Sequence, residues 1–378
     1  MNNDTMRQAM RLMQAGDLQA ATRTLQHRLT GGVGRGSTDT APAAAGRTGA
    51  GPDDCIEGEF RIVDDGRATD APQAGPAPRP TPAPRPGAPR PPARGRRRFS
   101  CEAGELDYRL HVPDGLDTRG APLLVMLHGC TQTPEDFARG TRMDVLAGAQ
   151  GYVVAWPAQS SARNPNRCWN WFRGSDQQRD SGEPAILAAL TRALVATRGL
   201  DAGRVYVAGL SAGGAMAAVL ADTHPELYAA IGVHSGLPTG LASDMPSAFA
   251  AMRKGGAGRR VAAAGTTVPA IVFHGDGDTT VHPDNARGVV EQSLGGRPVA
   301  EVRSTSSTRE QAAGAGGRSA TRTLHRAADG RVLAEHWMIH GAGHAWSGGD
   351  AAGTYTDPQG PDASAGMLRF FADCRRAG

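Results

Sequence analysis

The chain has 378 residues and a formal net charge of +4 at pH 7. Many of its arginines lie in one proline-rich stretch, aromatic residues are sparse and no nucleic-acid module is recognisable, so DNA or RNA binding is not expected. No run approaches the roughly eighteen consecutive apolar residues of a transmembrane helix, and the scattered cysteines suit neither a disulfide scaffold nor a zinc site.

The N-terminal part of the chain divides into two segments that precede the main domain. Residues 1–30 have apolar positions at helical spacing and a break at Ala15-Gly16-Asp17, which predicts a hairpin of two short helices. Residues 31–98 are dominated by Gly, Ala, Pro and Arg, a composition that favours an extended linker and cannot build a core. We therefore expect the folded catalytic domain within residues 99–378.

From residue 99 onward, strand-like runs alternate with helix-like segments. Several runs are continuously apolar, as strands buried on both faces of a parallel sheet require. Helix-like segments lie at 134–150, 183–199, 212–225 and 365–376. The predicted strands, in chain order, are ELDYRLHVP, PLLVMLHG, YVVAWP, RVYVAGL, AAIGVHSG, PAIVFHG and VLAEHWMIHG. This alternation predicts an α/β fold with a mainly parallel sheet and helices on both of its faces.

A nucleophilic serine is predicted where the strand RVYVAGL ends. The pentapeptide Gly209-Leu210-Ser211-Ala212-Gly213 lies between that strand and a helix of small residues, which is the context that makes the pattern G-x-S-x-G informative. The glycines leave room for a tight turn, and the helix N-terminus directs partial positive charge towards the serine. Ser211 is therefore the candidate nucleophile.

The serine needs a histidine to take its proton and a carboxylate to orient that histidine. In this kind of fold the two partners follow the serine in the order acid, then histidine, on loops after later strands. Asp276 and Asp278 both follow the strand PAIVFHG, and His344 follows the last core strand. His344 is the candidate base, and the residues alone leave either aspartate as the acid.

Backbone amides are expected to stabilise the negative charge that develops on the substrate oxygen. One donor should be the residue after the nucleophile, Ala212, and the other should come from the loop after an early strand. The loop that follows PLLVM contains Cys130, whose amide is the second candidate donor. These two amides form the predicted oxyanion hole.

Five motifs together resemble the poly(3-hydroxybutyrate) depolymerase family of esterases, which is related to feruloyl and acetylxylan esterases. The resemblance covers about residues 105–372 and implies the α/β-hydrolase fold. It places the acid at Asp278 and the base at His344, and it departs from the family at Ser347, where proline is common. The motifs are LHGCTQ (127–132), CWNWF (168–172), RVYVAGLSAGGAMA (204–217), HGDGDTTVHPDNA (274–286) and GAGHAWSGG (341–349).

Two of these motifs contain tryptophans, Trp169 and Trp171 in CWNWF and Trp346 in GAGHAWSGG. Their amphipathic rings suit an ester chain, so the three are candidate walls of the substrate pocket, with core packing as the alternative. Cys130 and Cys168 could form a disulfide between the oxyanion loop and CWNWF. Reduced cysteines remain the alternative in a cytoplasmic protein.

The sequence as a whole predicts a serine esterase that forms an acyl-enzyme and needs no metal or cofactor. The expected substrates are 3-hydroxyalkanoate polyesters or their oligomers, with feruloyl or acetylxylan esters as the alternative. From a different class, a non-catalytic module could bind a polymer granule or a partner. A signal peptide is not recognisable, which favours a cytoplasmic location, whereas the family resemblance allows an extracellular one. The oligomeric state is left open.

Overall fold

The structure is a computed structural model of the chain that describes residues 95–256, 267–295, 302–311 and 317–376. The predicted hairpin (1–30) and nearly all of the predicted linker (31–98) lie outside the described residues. The first described strand begins at Arg97, two residues before the predicted start of the catalytic domain.

Most strands of the described chain join one large sheet, and two short strands pair separately. The strands are β1 (Arg97–Cys101), β2 (Gly104–His111), β3 (Leu123–Leu127), β4 (Val153–Ala158), β5 (Val205–Leu210), β6 (Ala230–His234), β7 (Ala270–Gly275), β8 (Val302–Gln311), β9 (Ser319–Ala327), β10 (Val332–Ile339), β11 (Trp346–Ser347) and β12 (Thr356–Asp357). The large sheet has the order β1-β2-β4-β3-β5-β6-β7-β10-β9-β8, and β11 pairs with β12.

The centre of the sheet is parallel and its two edges are antiparallel. Every neighbouring pair in the run β4-β3-β5-β6-β7-β10 is parallel. The pairs β1-β2, β2-β4, β10-β9 and β9-β8 are antiparallel. The carboxyl ends of β3, β5, β7 and β10 therefore meet at one edge, where open α/β sheets carry their ligand sites.

The helices of the described chain connect these strands. They are α1 (Pro134–Thr141), α2 (Met143–Gly148), α3 (Gly182–Arg198), α4 (Ala212–Thr223), α5 (Met245–Lys254), α6 (Asp284–Ser293) and α7 (Ala363–Ala372), with a 3₁₀ turn at Gly174–Gln177. The predicted helix over 134–150 is interrupted at Arg142, whose φ of 53° is left-handed and ends α1. Among the described residues, no helix is long and apolar enough to cross a membrane.

Alternate residues of the central strands point into two separate apolar layers. Leu123 and Val125 of β3 lie in the layer that contains side chains of α3, α4 and α6. Leu124 and Met126 lie in the opposite layer, with side chains of α1, α2 and α7. Because successive strand residues face opposite sides, a strand covered on both faces must be apolar throughout. The predicted α/β-hydrolase fold is confirmed.

Candidate active site

Ser211 lies at a sharp turn between β5 and α4, with a φ of 57°. A Cβ atom on Gly209 would lie 2.3 Å from the carbonyl carbon of Gly213, so the turn requires glycine there. The amide of Ser211 donates to the carbonyl oxygen of His234 at 2.8 Å, which ties the turn to the end of β6. The Ser211 side chain makes no capping hydrogen bond to the N-terminal amides of α4.

Asp278 and His344 lie on the loops after β7 and β10 and are hydrogen-bonded to each other. Oδ2 of Asp278 is 2.7 Å from Nδ1 of His344. Oδ1 of Asp278 accepts hydrogen bonds from the amides of Thr280 at 2.9 Å and Val281 at 2.8 Å. The carboxylate is thus held from both sides, and its side chain is fully buried while that of His344 is 13% exposed.

The charge state of Asp278 fixes the tautomer of His344. Burial by itself would raise the pKa of Asp278, but the hydrogen bonds from His274 and His344 outweigh burial and hold that pKa well below its ordinary value. An ionised carboxylate can only accept, so Nδ1 of His344 carries the proton. In the neutral ring, Nε2 is then the atom that can take a proton from a nucleophile.

The second candidate acid, Asp276, contacts a different histidine. Its carboxylate lies 2.9 Å from Nδ1 of His340 and accepts from the amide of Gly341 at 2.7 Å. Asp276 is exposed, with 42% of its side-chain surface open to solvent. The structure therefore brings Asp278 to His344 and leaves Asp276 at the surface of the same loop.

The loop after β3 packs directly against the start of α4. A Cβ atom on Gly213 would lie 2.0 Å from the carbonyl oxygen of Leu127, so the two candidate oxyanion donors, Cys130 and Ala212, are on segments in contact. The amides on either side of Cys130 are engaged, since Gly129 donates to Oε1 of Gln132 at 2.9 Å and Thr131 donates to the carbonyl of Asn166 at 2.7 Å.

A disulfide between Cys130 and Cys168 connects the loop after β3 to the segment CWNWF. The indole of Trp169 donates to the carbonyl of His128 at 3.1 Å, which adds a second link between the same two segments. Burial lowers the pKa of His128 to about 4, so its ring is neutral, and Nε2 accepts from the amide of Gln159 at 3.1 Å. The candidate oxyanion loop is therefore fixed by covalent and polar contacts.

The three candidate tryptophans are buried. Trp169 and Trp346 are each 1% exposed and Trp171 is 6% exposed. Trp346 stacks on His234 with ring centroids 5.1 Å apart, and its indole donates to Oγ of Ser364 at 3.0 Å. These contacts fit the alternative of core packing, and direct contact of the three rings with substrate stays a prediction.

Several residues next to the site were not singled out by the sequence. His274 lies 3.4 Å from Oδ2 of Asp278, and the buried ring of His234 accepts from the amide of Ser347 at 3.0 Å. Tyr355, which is 38% exposed, has its hydroxyl 3.2 Å from Oγ1 of Thr131. His274 lies within the motif HGDGDTTVHPDNA without a predicted role, whereas His234 and Tyr355 lie outside the five motifs and contact segments that are far apart from them in the chain.

A buried carboxylate supports the segment that carries Cys168. Glu183 at the start of α3 is 3% exposed and accepts from the backbone amide of Asn170 at 2.7 Å and from its side-chain amide at 2.6 Å. Burial raises the pKa of Glu183 to about 7, although these hydrogen bonds oppose the rise. The side chain of Gln159 also donates to Glu183 and to the carbonyl of Cys168.

Comparison with known proteins places these features in a family. Poly(3-hydroxyalkanoate) depolymerase C of Paucimonas lemoignei is 33% identical over 272 residues, which cover 69% of this chain and 61% of that protein. Feruloyl esterase B of Neurospora crassa is 34% identical over 128 residues, covering 34% of this chain and 42% of that protein. The chain thus spans less than two thirds of the length of these curated relatives.

A solved structure shares the fold. The acetyl xylan esterase from Aspergillus awamori superimposes with a TM-score of 0.53 at 19% sequence identity, covering 71% of this chain and 94% of that one. The family profile described as Esterase PHB depolymerase matches residues 106–313, which is more than half of the chain. The chain therefore belongs to the esterase PHB depolymerase family.

Proposed function

We propose that the protein is a serine hydrolase of carboxylic esters, with Ser211 as nucleophile, His344 as base and Asp278 as the acid that orients it. The single observation that carries the proposal is the 2.7 Å contact between Asp278 and His344, on the same sheet edge as the left-handed turn at Ser211. Membership of an esterase family supports the reaction class.

The proposed reaction forms and breaks one acyl-serine bond. Nε2 of His344 takes the proton of Ser211 as Oγ attacks the ester carbonyl, and the amides of Cys130 and Ala212 bind the resulting oxyanion. His344 then gives the proton to the leaving alcohol. A water molecule, activated by the same histidine, hydrolyses the acyl-enzyme and releases the acid. Apart from the substrate and this water molecule, each step uses only groups of this chain.

We propose 3-hydroxyalkanoate polyesters or their oligomers as the substrate class. The support is the similarity to the Paucimonas depolymerase over 69% of this chain. Feruloyl or acetylated polysaccharide esters are the second candidate, because the Neurospora feruloyl esterase is similar over a shorter region. A non-catalytic binding module is the third candidate, and it predicts no turnover.

Ser211→Ala tests the reaction class. With a nitrophenyl ester of a short-chain acid, the variant should lose on the order of 10⁴-fold or more in kcat, because no acyl-enzyme can form. Ser243→Ala, which changes an exposed serine before α5, is the control and should retain the wild-type rate. Equal rates for a folded Ser211→Ala variant and the wild type would remove the proposal, and absence of turnover in both would favour the binding module.

A substrate panel tests the substrate class. Rates on polyester granules, 3-hydroxybutyrate oligomers, acetylated xylan and a feruloyl ester are measured with the same preparation. The proposal expects the highest kcat/KM on the oligomers. A higher kcat/KM on acetylated xylan or the feruloyl ester would contradict this proposal and support the second candidate substrate class.

A further inference from the structure

Tyr355 presents an exposed aromatic ring beside the candidate site. Among the described residues, the exposed large apolar side chains are Val145 and Tyr355, and Tyr355 is 38% exposed. Its carbonyl accepts from the amide of Trp346 at 2.7 Å, two residues after His344. Its hydroxyl lies 3.2 Å from Oγ1 of Thr131, the residue after Cys130. Tyr355 thus connects the loop of the candidate base with the loop of the candidate oxyanion donor.

The backbone around this contact is held in an unfavourable conformation. Tyr355, Thr131 and Arg167 have φ values of 53°, 67° and 51°, which side chains of this kind rarely adopt. Thr131 contacts both of the others, because Nη1 of Arg167 donates to its carbonyl at 3.4 Å and its hydroxyl lies 3.2 Å from that of Tyr355. Such conformations persist only where the surroundings hold them, and they concentrate at ligand-binding sites.

Neighbouring contacts fix the segment before Tyr355 onto the oxyanion loop. The side-chain amide of Gln132 donates to the carbonyl of Thr354 at 3.0 Å. The amide of Thr354 donates to Asp136 of α1 at 3.1 Å, and its hydroxyl also contacts that carboxylate. The position of the Tyr355 hydroxyl is therefore set by the same loop that carries Cys130.

The hydrogen atoms at this contact determine what the tyrosine oxygen can still bind. Oγ1 of Thr131 donates its proton to the carbonyl of Cys130 at 2.6 Å. The contact with Tyr355 then requires the tyrosine to donate, since each hydroxyl has one proton. The Tyr355 oxygen is left with acceptor capacity only. A substrate group that meets it must be a donor, such as a hydroxyl.

We infer that Tyr355 recognises a free hydroxyl on the acyl part of the substrate. The inference rests on the proposed function, because the acyl carbonyl is expected at the amide of Cys130. The inference assigns a hydroxyl on the third carbon of the acyl chain to the tyrosine oxygen, because Thr131, the residue after that donor, holds this oxygen. The recognised class is 3-hydroxyacyl esters, whose hydroxyl is the free end of a polyester or oligomer.

Tyr355→Phe tests the inference, because it removes the oxygen and keeps the ring. The measured quantity is the ratio of kcat/KM for the nitrophenyl esters of 3-hydroxybutyrate and butyrate. The wild type should prefer the hydroxy ester, and the variant should lower the ratio about tenfold, the effect of one hydrogen bond. Tyr152→Phe, which removes a hydroxyl from a buried tyrosine of the core, should keep the wild-type ratio.

The 3-methoxybutyrate ester tests the same hydrogen bond in the unaltered protein. It has the oxygen but no proton, so its kcat/KM should fall to that of the butyrate ester or below. An unchanged ratio in active Tyr355→Phe, or equal preference for the methoxy and hydroxy esters, would overturn the assignment of Tyr355 alone. If the wild type hydrolysed none of the three esters, the proposed function would fail together with it.

Discussion

Ser211 and Asp278 each occupy an unfavourable state that their surroundings stabilise. A non-glycine residue with the φ of Ser211 is destabilised by about 1–3 kcal/mol, and the hydrogen bond to His234 together with the flanking glycines holds it. Asp278 is a buried charge whose two oxygens both accept hydrogen bonds, which is the condition for burying a carboxylate at low cost. Strained backbone conformations and shifted carboxylate pKa values both concentrate at functional sites.

The two aspartates of the loop after β7 should respond very differently to loss of charge. Asp278→Asn should lower kcat on a nitrophenyl ester by about 10³–10⁴-fold, because the tautomer of His344 and the stability of its charged form depend on that carboxylate. Asp276→Asn, the matched control, removes an exposed contact with His340 and should change kcat by less than about threefold. A larger loss of kcat in Asp276→Asn than in Asp278→Asn would identify Asp276 as the acid.

Glu183 should make stability fall as pH rises. Its pKa is raised from 4.5 to about 7 by burial, so between these values the folded protein retains a proton that the unfolded chain has lost. The free energy of unfolding therefore decreases with pH through this window, by up to about 3 kcal/mol. Urea unfolding of the wild type and of Glu183→Gln at pH 5 and pH 8 measures this decrease. The difference between the two proteins isolates Glu183, because both contain all the other titrating groups. Parallel pH profiles would contradict it.

The central strands of the sheet were predictable from the sequence, and its polar edge was not. Each predicted strand coincides with an observed one to within two residues at either end, because burial on both faces requires continuous apolar runs. The strands β8 and β9, rich in Ser, Thr and Arg, were missed. At an antiparallel edge little of the side-chain surface has to be apolar, so hydrophobic periodicity gives no signal there.

The helices show the same dependence on burial. The segments 183–199 and 212–225 correspond to α3 and α4, which pack on the central sheet. The short α5 and α6 were not predicted, and the helix over 134–150 was wrong as a single element, because Arg142 has no sequence feature that marks a left-handed residue. Its arginine side chain instead pairs with Asp362 at 2.8 Å.

The disulfide joins two elements that the chain separates by 38 residues. Reduction should lower the free energy of unfolding by about 2–4 kcal/mol, because the unfolded chain regains the freedom of that loop. It should also lower kcat, since the candidate oxyanion loop loses its covalent link to CWNWF. Cys130→Ser measured by urea unfolding and ester turnover checks both effects, with Cys101→Ser at a free cysteine as control. Equal stability of the two variants would contradict the first effect.

The candidate catalytic residues all lie within the described fold, to which Arg96 and Arg97 also belong. Nε of Arg96 donates to Glu135 of α1 at 2.8 Å, and Arg97 is the first residue of β1. A truncation at the predicted boundary, residue 98, would therefore remove part of a strand and an ion pair. Deletion of residues 1–94 avoids this loss.

We predict that deleting residues 1–94 preserves hydrolysis of soluble esters and weakens attack on insoluble polymer. The reason is that the sequence of the predicted hairpin has an apolar face, with Met6, Met10 and Leu18 among its residues, that would tether the domain to a granule. Rates on a nitrophenyl ester and on suspended granules are measured for both proteins. A parallel fall of both rates would show that the segment stabilises the domain. If neither rate changed, the segment would have no tethering role.

The candidate site was predictable where a motif and a strand end coincide, and not where distant loops meet. Ser211 and His344 each follow a core strand, so the parallel sheet brings them to one edge. Position alone left Asp276 and Asp278 open, because both follow β7, and only the family resemblance favoured Asp278, whose carboxylate lies 2.7 Å from His344. Tyr355 had no signal, since its contact with Thr131 spans 224 residues.

Covalent labelling tests whether Ser211 is the nucleophile of ester hydrolysis. An organophosphonate that reacts with activated serines is added in excess, and the modified peptide is identified by mass spectrometry while ester turnover is followed. We predict one label per chain, on Ser211, with loss of turnover in proportion to labelling and with labelling abolished in His344→Ala. Full turnover by protein labelled at Ser211, or a label on another serine that tracks the loss of activity, would contradict it.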